Sequence, residues 1–88
     1  MREREVVIGH ELGLHARAAA KLVQLSAKFK SSIVLARIDE AQPTEADARS
    51  ILSILLLAAR YGSKLYVRAD GVDEDEALNR VCDYLSGV

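Results

Sequence analysis

The chain has 88 residues, of which 28% are charged, and its formal net charge at pH 7 is -1. A chain this short buries roughly 60 to 65% of its unfolded surface, so it suits one compact domain over residues 1–88 with few apolar side chains to spare for a deep catalytic pocket. The balanced charge argues against nucleic acid as a partner, because nucleic-acid-binding surfaces are strongly basic.

Cysteine content and hydropathy indicate in which cell compartment the chain is expected. Cys82 is the single cysteine, so neither an intrachain disulfide nor a thiolate cluster for zinc can form. The longest apolar stretch, residues 54–59, is far shorter than a membrane span, and the charged residues 1–5 do not fit a signal peptide. We expect a cytoplasmic monomer that does not insert into a membrane.

The first half of the chain alternates between strand and helix patterns. Residues 4–8 are rich in β-branched side chains and predict a first strand that ends at Gly9. Apolar residues recur at helical spacing from Ala16 to about Phe29 and predict a first helix. Residues 32–38 are again β-rich and predict a second strand.

A hairpin and an apolar helix are expected next. The polar run 39–44 contains the only proline and predicts a turn, and the return strand is placed at residues 45–46. Asp47 is the expected N-cap of a second helix, which includes the apolar run 51–57 and closes at residues 61–62.

A strand and a helix complete the chain. Residues 65–69 alternate between apolar and polar side chains and predict a half-buried strand. After a turn at residues 70–71, Asp73 and Glu76 resemble a capping box that opens a last helix. The side chains expected to face inward from this helix are Ala77, Leu78, Val81 and Leu85.

The predicted order βαββαβα, with a hairpin in the middle, indicates an α+β fold. Such an order suits a four-stranded, mainly antiparallel sheet with three helices packed on one face. The other face should meet solvent, because side chains alternate between the two faces of a strand. The side chains expected on that open face are Glu3, Glu5, Tyr66 and Arg68.

The clearest chemistry lies where a glycine-bearing loop enters the first helix. His15 stands at the expected helix start, where unpaired N–H groups and partial positive charge attract an anion. Neutral imidazole is a nucleophile near pH 7, and the Arg17 guanidinium can bind phosphoryl oxygens. From spacing alone, an ordinary surface histidine beside a solvated arginine is the more frequent interpretation. His10, earlier in the loop, is interpreted as a surface residue.

Three segments resemble one protein family. Residues 12–17, LGLHAR, resemble the active-site segment of HPr, the histidine phosphocarrier of the bacterial phosphotransferase system. Residues 47–52, DARSIL, resemble the family's regulatory-serine helix, and residues 69–77 are similar to the turn that opens its last helix. The matches span nearly the whole chain in the family's order, and the family's open-faced β-sandwich agrees with the predicted fold.

The resemblance implies a phosphocarrier that needs no metal or cofactor, and not an enzyme that turns over independently. His15 would accept a phosphoryl group on Nδ1 from phosphorylated Enzyme I, itself charged from phosphoenolpyruvate, and would pass it to an Enzyme IIA domain in sugar uptake. Arg17 would stabilise the transferred group, and the backbone N–H groups of Ala16 and Arg17 would complete the anion site. Ala18 departs from the family pattern, which has proline there.

Ser50 and the second helix carry the remaining expectations. Under the resemblance, Ser50 would be the target of an HPr kinase/phosphorylase. Some side chains of the second helix should stay exposed beside His15, because residues 51–59 are apolar nearly all round and exposed apolar patches commonly mark partner sites. The residues expected at this partner surface are Ala20, Gln24, Ile51, Leu52 and Leu55.

A function of another class stays open at this point. A regulatory binding module of the same fold, in nitrogen-related or carbon-catabolite control, would act by docking to a transporter, kinase or transcription factor. It would be switched at Ser50 or carry no phosphate at all. His15 favours the carrier over this alternative.

Overall fold

The computed structural model describes residues 1–38 and 44–87. Its strands are β1 (Arg2–Val7), β2 (Ser32–Arg37), β3 (Thr44–Asp47) and β4 (Lys64–Asp70), and its helices are α1 (Ala16–Ser26), α2 (Ile51–Leu57) and α3 (Glu74–Ser86). The strands form one antiparallel sheet in the order β1-β4-β2-β3. The predicted α+β fold and its βαββαβα order are confirmed.

The core lies between the sheet and the helices. Register in the two central strands pairs Ile33 with Ala69 and Leu35 with Val67, so both strands direct their apolar residues to the same face. The buried side chains of these strands include Ile33, Leu35, Leu65, Val67 and Ala69. The residues predicted to face inward from α3 are buried as well.

The other face of the sheet carries charged residues from three strands. Nε of Arg68 on β4 lies 3.6 Å from Oε2 of Glu3 on β1, and its Nη2 lies 3.1 Å from Oε2 of Glu45 on β3. Glu5 and Tyr66 are exposed on the same face. The predicted open face is therefore confirmed, with Arg68 half-buried because two carboxylates flank it.

α1 ends at Ser26, three residues before the predicted end at Phe29. The chain leaves the helix through shorter-range hydrogen bonds, in which Lys28 N–H donates to Leu25 O and Phe29 N–H donates to Ser26 O. Bonds from residue i to i−3 tighten the backbone and commonly end a helix. Phe29 lies beyond the end of the helix, but its ring is buried. An apolar residue therefore stands at the position that the helical spacing would also require.

The strand ends differ modestly from the predictions. β1 begins at Arg2, two residues early, because pairing with β4 extends to the cross-strand pair Arg2–Ala69. This part of the strand has charged side chains in place of β-branched or aromatic ones, so strand propensity does not indicate it. β3 covers the predicted return strand at residues 45–46. Of the predicted turn at residues 39–44, Thr44 already belongs to β3, and residues 39–43 lie outside the described residues.

The N-cap of α2 is Ser50, so the prediction of Asp47 was wrong. Asp47 is the last residue of β3, and its Oδ1 accepts a hydrogen bond from Arg49 N–H at 2.9 Å. The Ser50 hydroxyl oxygen accepts from Ser53 N–H at 3.3 Å, which is the N-cap bond. The helix also ends early, at Leu57, and residues 61–62 form a separate turn.

Asp73 is the N-cap of α3 as predicted, but the predicted capping box with Glu76 does not form. Oδ2 of Asp73 instead accepts from Lys30 N–H at 2.9 Å. Its Oδ1 accepts from the N–H of Ser31 at 2.9 Å and from the Ser31 hydroxyl at 2.5 Å. Asp73 therefore ties the start of α3 to the segment that precedes β2.

The Asp73→Asn variant is expected to be less stable than wild type at neutral pH, and the difference should shrink on acidification. Hydrogen bonds hold the pKa of the Asp73 carboxyl below its ordinary value of 3.8, and the bond from the Ser31 hydroxyl has the largest effect. A carboxyl whose pKa is lower in the folded state than in the unfolded state stabilises the fold. This stabilisation is complete above the unfolded-state pKa and is lost as pH falls through the folded-state pKa. Urea unfolding at several pH values measures this difference.

The matched control for this prediction is Glu76→Gln, which neutralises an exposed carboxylate on the first turn of the same helix. It should leave stability nearly unchanged at every pH. A loss in Asp73→Asn that stays constant between neutral and acidic pH would contradict the account.

Candidate functional site

The loop between β1 and α1 is fixed to two other parts of the molecule. Gly9 N–H donates to Leu85 O at 2.9 Å, which joins the loop to the end of α3. Leu14 N–H donates to Ala59 O at 3.0 Å, which joins it to the chain after α2. The backbone that leads to His15 is therefore held on both sides.

Gly13 makes the tight turn in this loop. Its φ is +68°, a left-handed value that L side chains rarely adopt, and its N–H donates to His10 O at 2.9 Å. A Cβ at this position would lie 2.5 Å from Ala59 O, which is too close for any side chain. Glycine is required here both for its backbone conformation and for its close contact.

His15 is the N-cap of α1, at the helix start where the sequence predicted it. Its backbone is extended, and its carbonyl accepts the first helical hydrogen bond, from Ala19 N–H at 2.8 Å. The N–H groups of residues 16–18 therefore have no partner within the helix. The half-buried imidazole forms no capping hydrogen bond, so neither ring nitrogen is used to cap the helix.

A small cavity of about 120 Å³ opens beside His15. Its lining comprises His10, His15, Arg17, Ala18, Lys21 and Tyr84. Lys21 follows Arg17 by four residues, so both cations project from the same side of α1. The exposed Arg17 guanidinium forms no ion pair with any residue in the part of the chain described here. A nucleophile and two cations thus surround a volume suited to a small anion.

His10 forms one wall of this cavity. Its Nε2 lies 2.6 Å from Tyr84 O, and because a carbonyl oxygen only accepts, Nε2 carries the proton and donates. The imidazole is tilted by 49° against the Tyr84 ring, with the ring centroids 4.9 Å apart. His10 was interpreted as a surface residue and is half-buried in the structure. Its fixed placement argues against a role as second phosphoryl acceptor.

The sequence predicted some of these residues and missed others. His15, Arg17 and the backbone of Ala16 come together at the helix start as expected. Lys21 was missed, although its spacing of one helical turn from Arg17 would have indicated it. Tyr84 carries no local signal, because only the packing of α3 against α1 brings it to the site.

The predicted partner surface is exposed on α1 and α2, which pack against each other. The exposed fraction is 43% for Ile51, 65% for Leu52 and 38% for Leu55, while Gln24 is exposed and Ala20 is half-buried. Leu56, which is 70% exposed, and Leu12, which is 78% exposed, were not predicted. The contact of Gly13 with Ala59 places the end of α2 beside the loop that leads to His15.

Residues 1–38 and 44–87 form neither a metal-ion site nor a membrane-spanning helix. No three His, Cys, Asp or Glu side chains there are grouped so that they could hold a metal ion. Of the helices formed by these residues, none has the length and apolar character needed to cross a membrane. Cys82 is buried in the packing of α3, and burial raises the pKa of its thiol.

Comparison by sequence finds related proteins over nearly the whole chain. Residues 2–86 match a family model described as the PTS HPr component phosphorylation site. The phosphocarrier protein HPr of Xylella fastidiosa (strain 9a5c) is 42% identical over 83 residues, which cover 94% of this chain and 89% of that protein. The phosphocarrier protein NPr of Shewanella violacea is 38% identical over 80 residues, covering 91% and 84%.

Comparison by structure gives the same fold. A phosphocarrier protein HPr from Bacillus anthracis str. Ames has a TM-score of 0.86 at 30% identity, covering 96% of this chain and 95% of that one. The solution structure of Crh, described as the Bacillus subtilis catabolite repression HPr, has a TM-score of 0.68 at 31% identity and covers 99% of both chains.

Proposed function

Since the chain belongs to the HPr family of phosphocarrier proteins of the phosphotransferase system, we propose that it accepts a phosphoryl group on His15 from phosphorylated Enzyme I and passes it to an Enzyme IIA domain in sugar uptake. The observation that carries the proposal is the small cavity beside His15, which Arg17 and Lys21 also line. A phosphoryl group in transfer spreads negative charge over its oxygens, and these two cations with the free N–H groups of α1 can stabilise that charge.

The proposed transfer requires a nucleophile and groups that bind the negatively charged phosphoryl oxygens. Nδ1 of neutral His15 attacks the phosphorus atom, the bond between phosphorus and the donor's leaving atom breaks, and its electron pair stays with the donor. The N–H groups of Ala16 and Arg17 and the Arg17 guanidinium bind the oxygens. Because alignment and charge stabilisation supply most of the catalysis in such a reaction, neither a metal nor another cofactor is needed.

The position of His15 suits a carrier with two partners. The half-buried ring lies at the molecular surface, so a donor and then an acceptor can each cover the same small site. We expect the chain to act as a cytoplasmic monomer, with each partner supplying the rest of the closed site during transfer.

A two-stage transfer experiment tests this proposal. The chain is incubated with labelled phosphoenolpyruvate and Enzyme I, isolated, and then mixed with an Enzyme IIA domain. Wild type should gain acid-labile phosphate and pass it on, and His15→Ala should do neither. His10→Ala, which alters a wall of the cavity, should still gain phosphate on His15 but more slowly. If wild type gains no acid-labile phosphate, the proposal fails.

The partner surface on α2 gives a prediction about affinity. Leu52→Ser should raise the apparent KM for Enzyme I about tenfold, because an exposed leucine that becomes buried on docking contributes on the order of 1.5 kcal/mol. Stability should hardly change, since Leu52 is 65% exposed in the free chain. Val72→Ser is the matched control, because Val72 is 87% exposed in the turn before α3. Equal KM values for the two variants would contradict the prediction.

Ser50 is proposed as a site of regulatory phosphorylation by an HPr kinase/phosphorylase. Its half-buried hydroxyl accepts from Ser53 N–H and lies next in sequence to the exposed residues Ile51 and Leu52. A phosphate there carries about two negative charges near pH 7 and would oppose docking of an apolar partner surface. Labelling with ATP and the kinase tests this, and label that persists in Ser50→Ala would rule it out.

A docking module is the second candidate function, and the similarity to Crh favours it. In this case the α2 surface would bind a regulatory partner whether or not His15 carries phosphate. Binding that is unchanged in His15→Ala, together with no onward transfer from wild type, would support the module over the carrier.

A further inference from the structure

Tyr84 contacts the chain on both sides of His15. Its hydroxyl donates to Ala18 O at 3.0 Å across 66 residues of sequence. Its own carbonyl oxygen accepts from His10 Nε2 at 2.6 Å, across 74 residues. One residue near the end of α3 therefore holds a residue that follows His15 and a residue that precedes it.

The contact with Ala18 acts on the first turn of α1. Ala18 is the third residue of the helix, and its N–H is one of those left unpaired at a helix start. A carbonyl oxygen has two lone pairs, so Ala18 O can accept from Tyr84 in addition to its helical partner. The first turn of a helix frays more easily than the rest, and this bond from α3 holds it in place.

The contact with His10 acts on the loop before the helix. Besides its bond to Tyr84 O, the His10 ring packs against the Tyr84 ring, and His10 O accepts from Gly13 N–H at 2.9 Å. A continuous series of contacts thus runs from Tyr84 through His10 to Gly13, two residues before His15.

We propose that Tyr84 is a positioning residue for phosphoryl transfer, which holds the loop before α1 and the first turn of α1 so that His15 and the N–H groups of residues 16–17 share one fixed geometry. The inference rests on the proposed function, because transfer is the step that this geometry serves. Partial burial of Tyr84 raises the pKa of its hydroxyl above the usual 10.0, so the hydroxyl stays a hydrogen-bond donor throughout the neutral range.

The first test is Tyr84→Phe, which removes the bond to Ala18 O and keeps the ring. We expect the rate of transfer within the Enzyme I complex to fall about fivefold, the effect of losing one neutral hydrogen bond that orients the site. The apparent KM should not change, because the α2 surface is untouched. Hydrogen exchange of the Ala19 and Leu22 amides should become faster, while that of the α3 amides should not. Tyr61→Phe, at a tyrosine that is 65% exposed, is the matched control and should match wild type.

A second variant distinguishes positioning from a general loss of stability. Ala18→Pro fixes φ through the pyrrolidine ring and removes only an N–H that has no helical partner. If Tyr84 acts through the first turn of α1, Tyr84→Phe should lower the transfer rate by a smaller factor in the Ala18→Pro background than in wild type. The reason is that the proline ring already restricts that turn.

Each outcome decides the inference. A transfer rate in Tyr84→Phe equal to that of wild type overturns it, and so does the same fivefold loss in both backgrounds, whereas a smaller loss beside Ala18→Pro supports it. The result for wild type distinguishes failure of the positioning role from failure of the proposed function. If wild type accepts phosphate normally and Tyr84→Phe does too, only the positioning role fails, but if wild type accepts none, the proposed function fails and the positioning role falls with it.

Discussion

Replacing Arg17 with alanine is expected to lower the rate of phosphoryl transfer at His15 about 100-fold, a typical effect of removing a group that stabilises transition-state charge. The guanidinium is exposed in the free chain and lines the cavity beside His15. Once a partner covers the site, water no longer screens this cation, so its interaction with phosphoryl oxygens becomes stronger. Single-turnover transfer from phosphorylated Enzyme I measures the rate.

Two further variants define what Arg17 supplies. Arg17→Lys keeps the charge but loses the planar fork of donors, so it should recover only part of the rate. Lys28→Ala removes one positive charge just beyond the far end of α1 and should leave the rate within about twofold of wild type, because exposed charges that far apart are screened. Equal rate losses in Arg17→Ala and Lys28→Ala would show a general charge effect and contradict the assigned role.

Gly13→Ala is expected to destabilise the fold by about 3 kcal/mol and to slow transfer as well. A left-handed φ of +68° costs an alanine roughly 1 to 2 kcal/mol. Its Cβ would also lie 2.5 Å from Ala59 O, so the loop that carries His15 must shift, and small displacements of a reacting group reduce rates strongly. Urea unfolding and the transfer assay measure the two effects.

Gly62→Ala is the matched control for this prediction. Gly62 also has a positive φ, of +83°, but a Cβ there would meet no atom within 4 Å. This variant should show only the backbone cost of about 1 to 2 kcal/mol, with normal transfer. Equal loss of stability in the two variants would mean that the contact with Ala59 contributes nothing.

Much of the fold could be predicted from the sequence because its periodicity is clear. Alternation in residues 65–69 and helical spacing after Ala16 gave the right elements on the right faces. The N-cap of α2 could not be found this way, because Asp47 and Ser50 are both good N-caps and only the pairing of β3 with β2 assigns Asp47 to a strand. The end of α1 was missed for a related reason, since Phe29 is buried by tertiary packing and not as part of the helix.

The candidate site divides in the same way. His15 and Arg17 lie in one short segment, so local chemistry and the family resemblance were enough to predict them. Tyr84 reaches the site from the far end of the chain, and Asp73 reaches Ser31 across 42 residues, so no local pattern indicates either contact. Long-range hydrogen bonds of this kind become visible only when the helices are packed on the sheet.

The most direct test of the central claim is to map the acid-labile phosphate after incubation with phosphoenolpyruvate and Enzyme I. Phosphorus NMR of the labelled chain, with His15→Ala and His10→Ala measured alongside it, identifies the modified ring nitrogen. One phosphohistidine is expected, on Nδ1 of His15, which is absent from His15→Ala and retained in His10→Ala. Phosphate on His10, or no phosphohistidine in wild type, would contradict it.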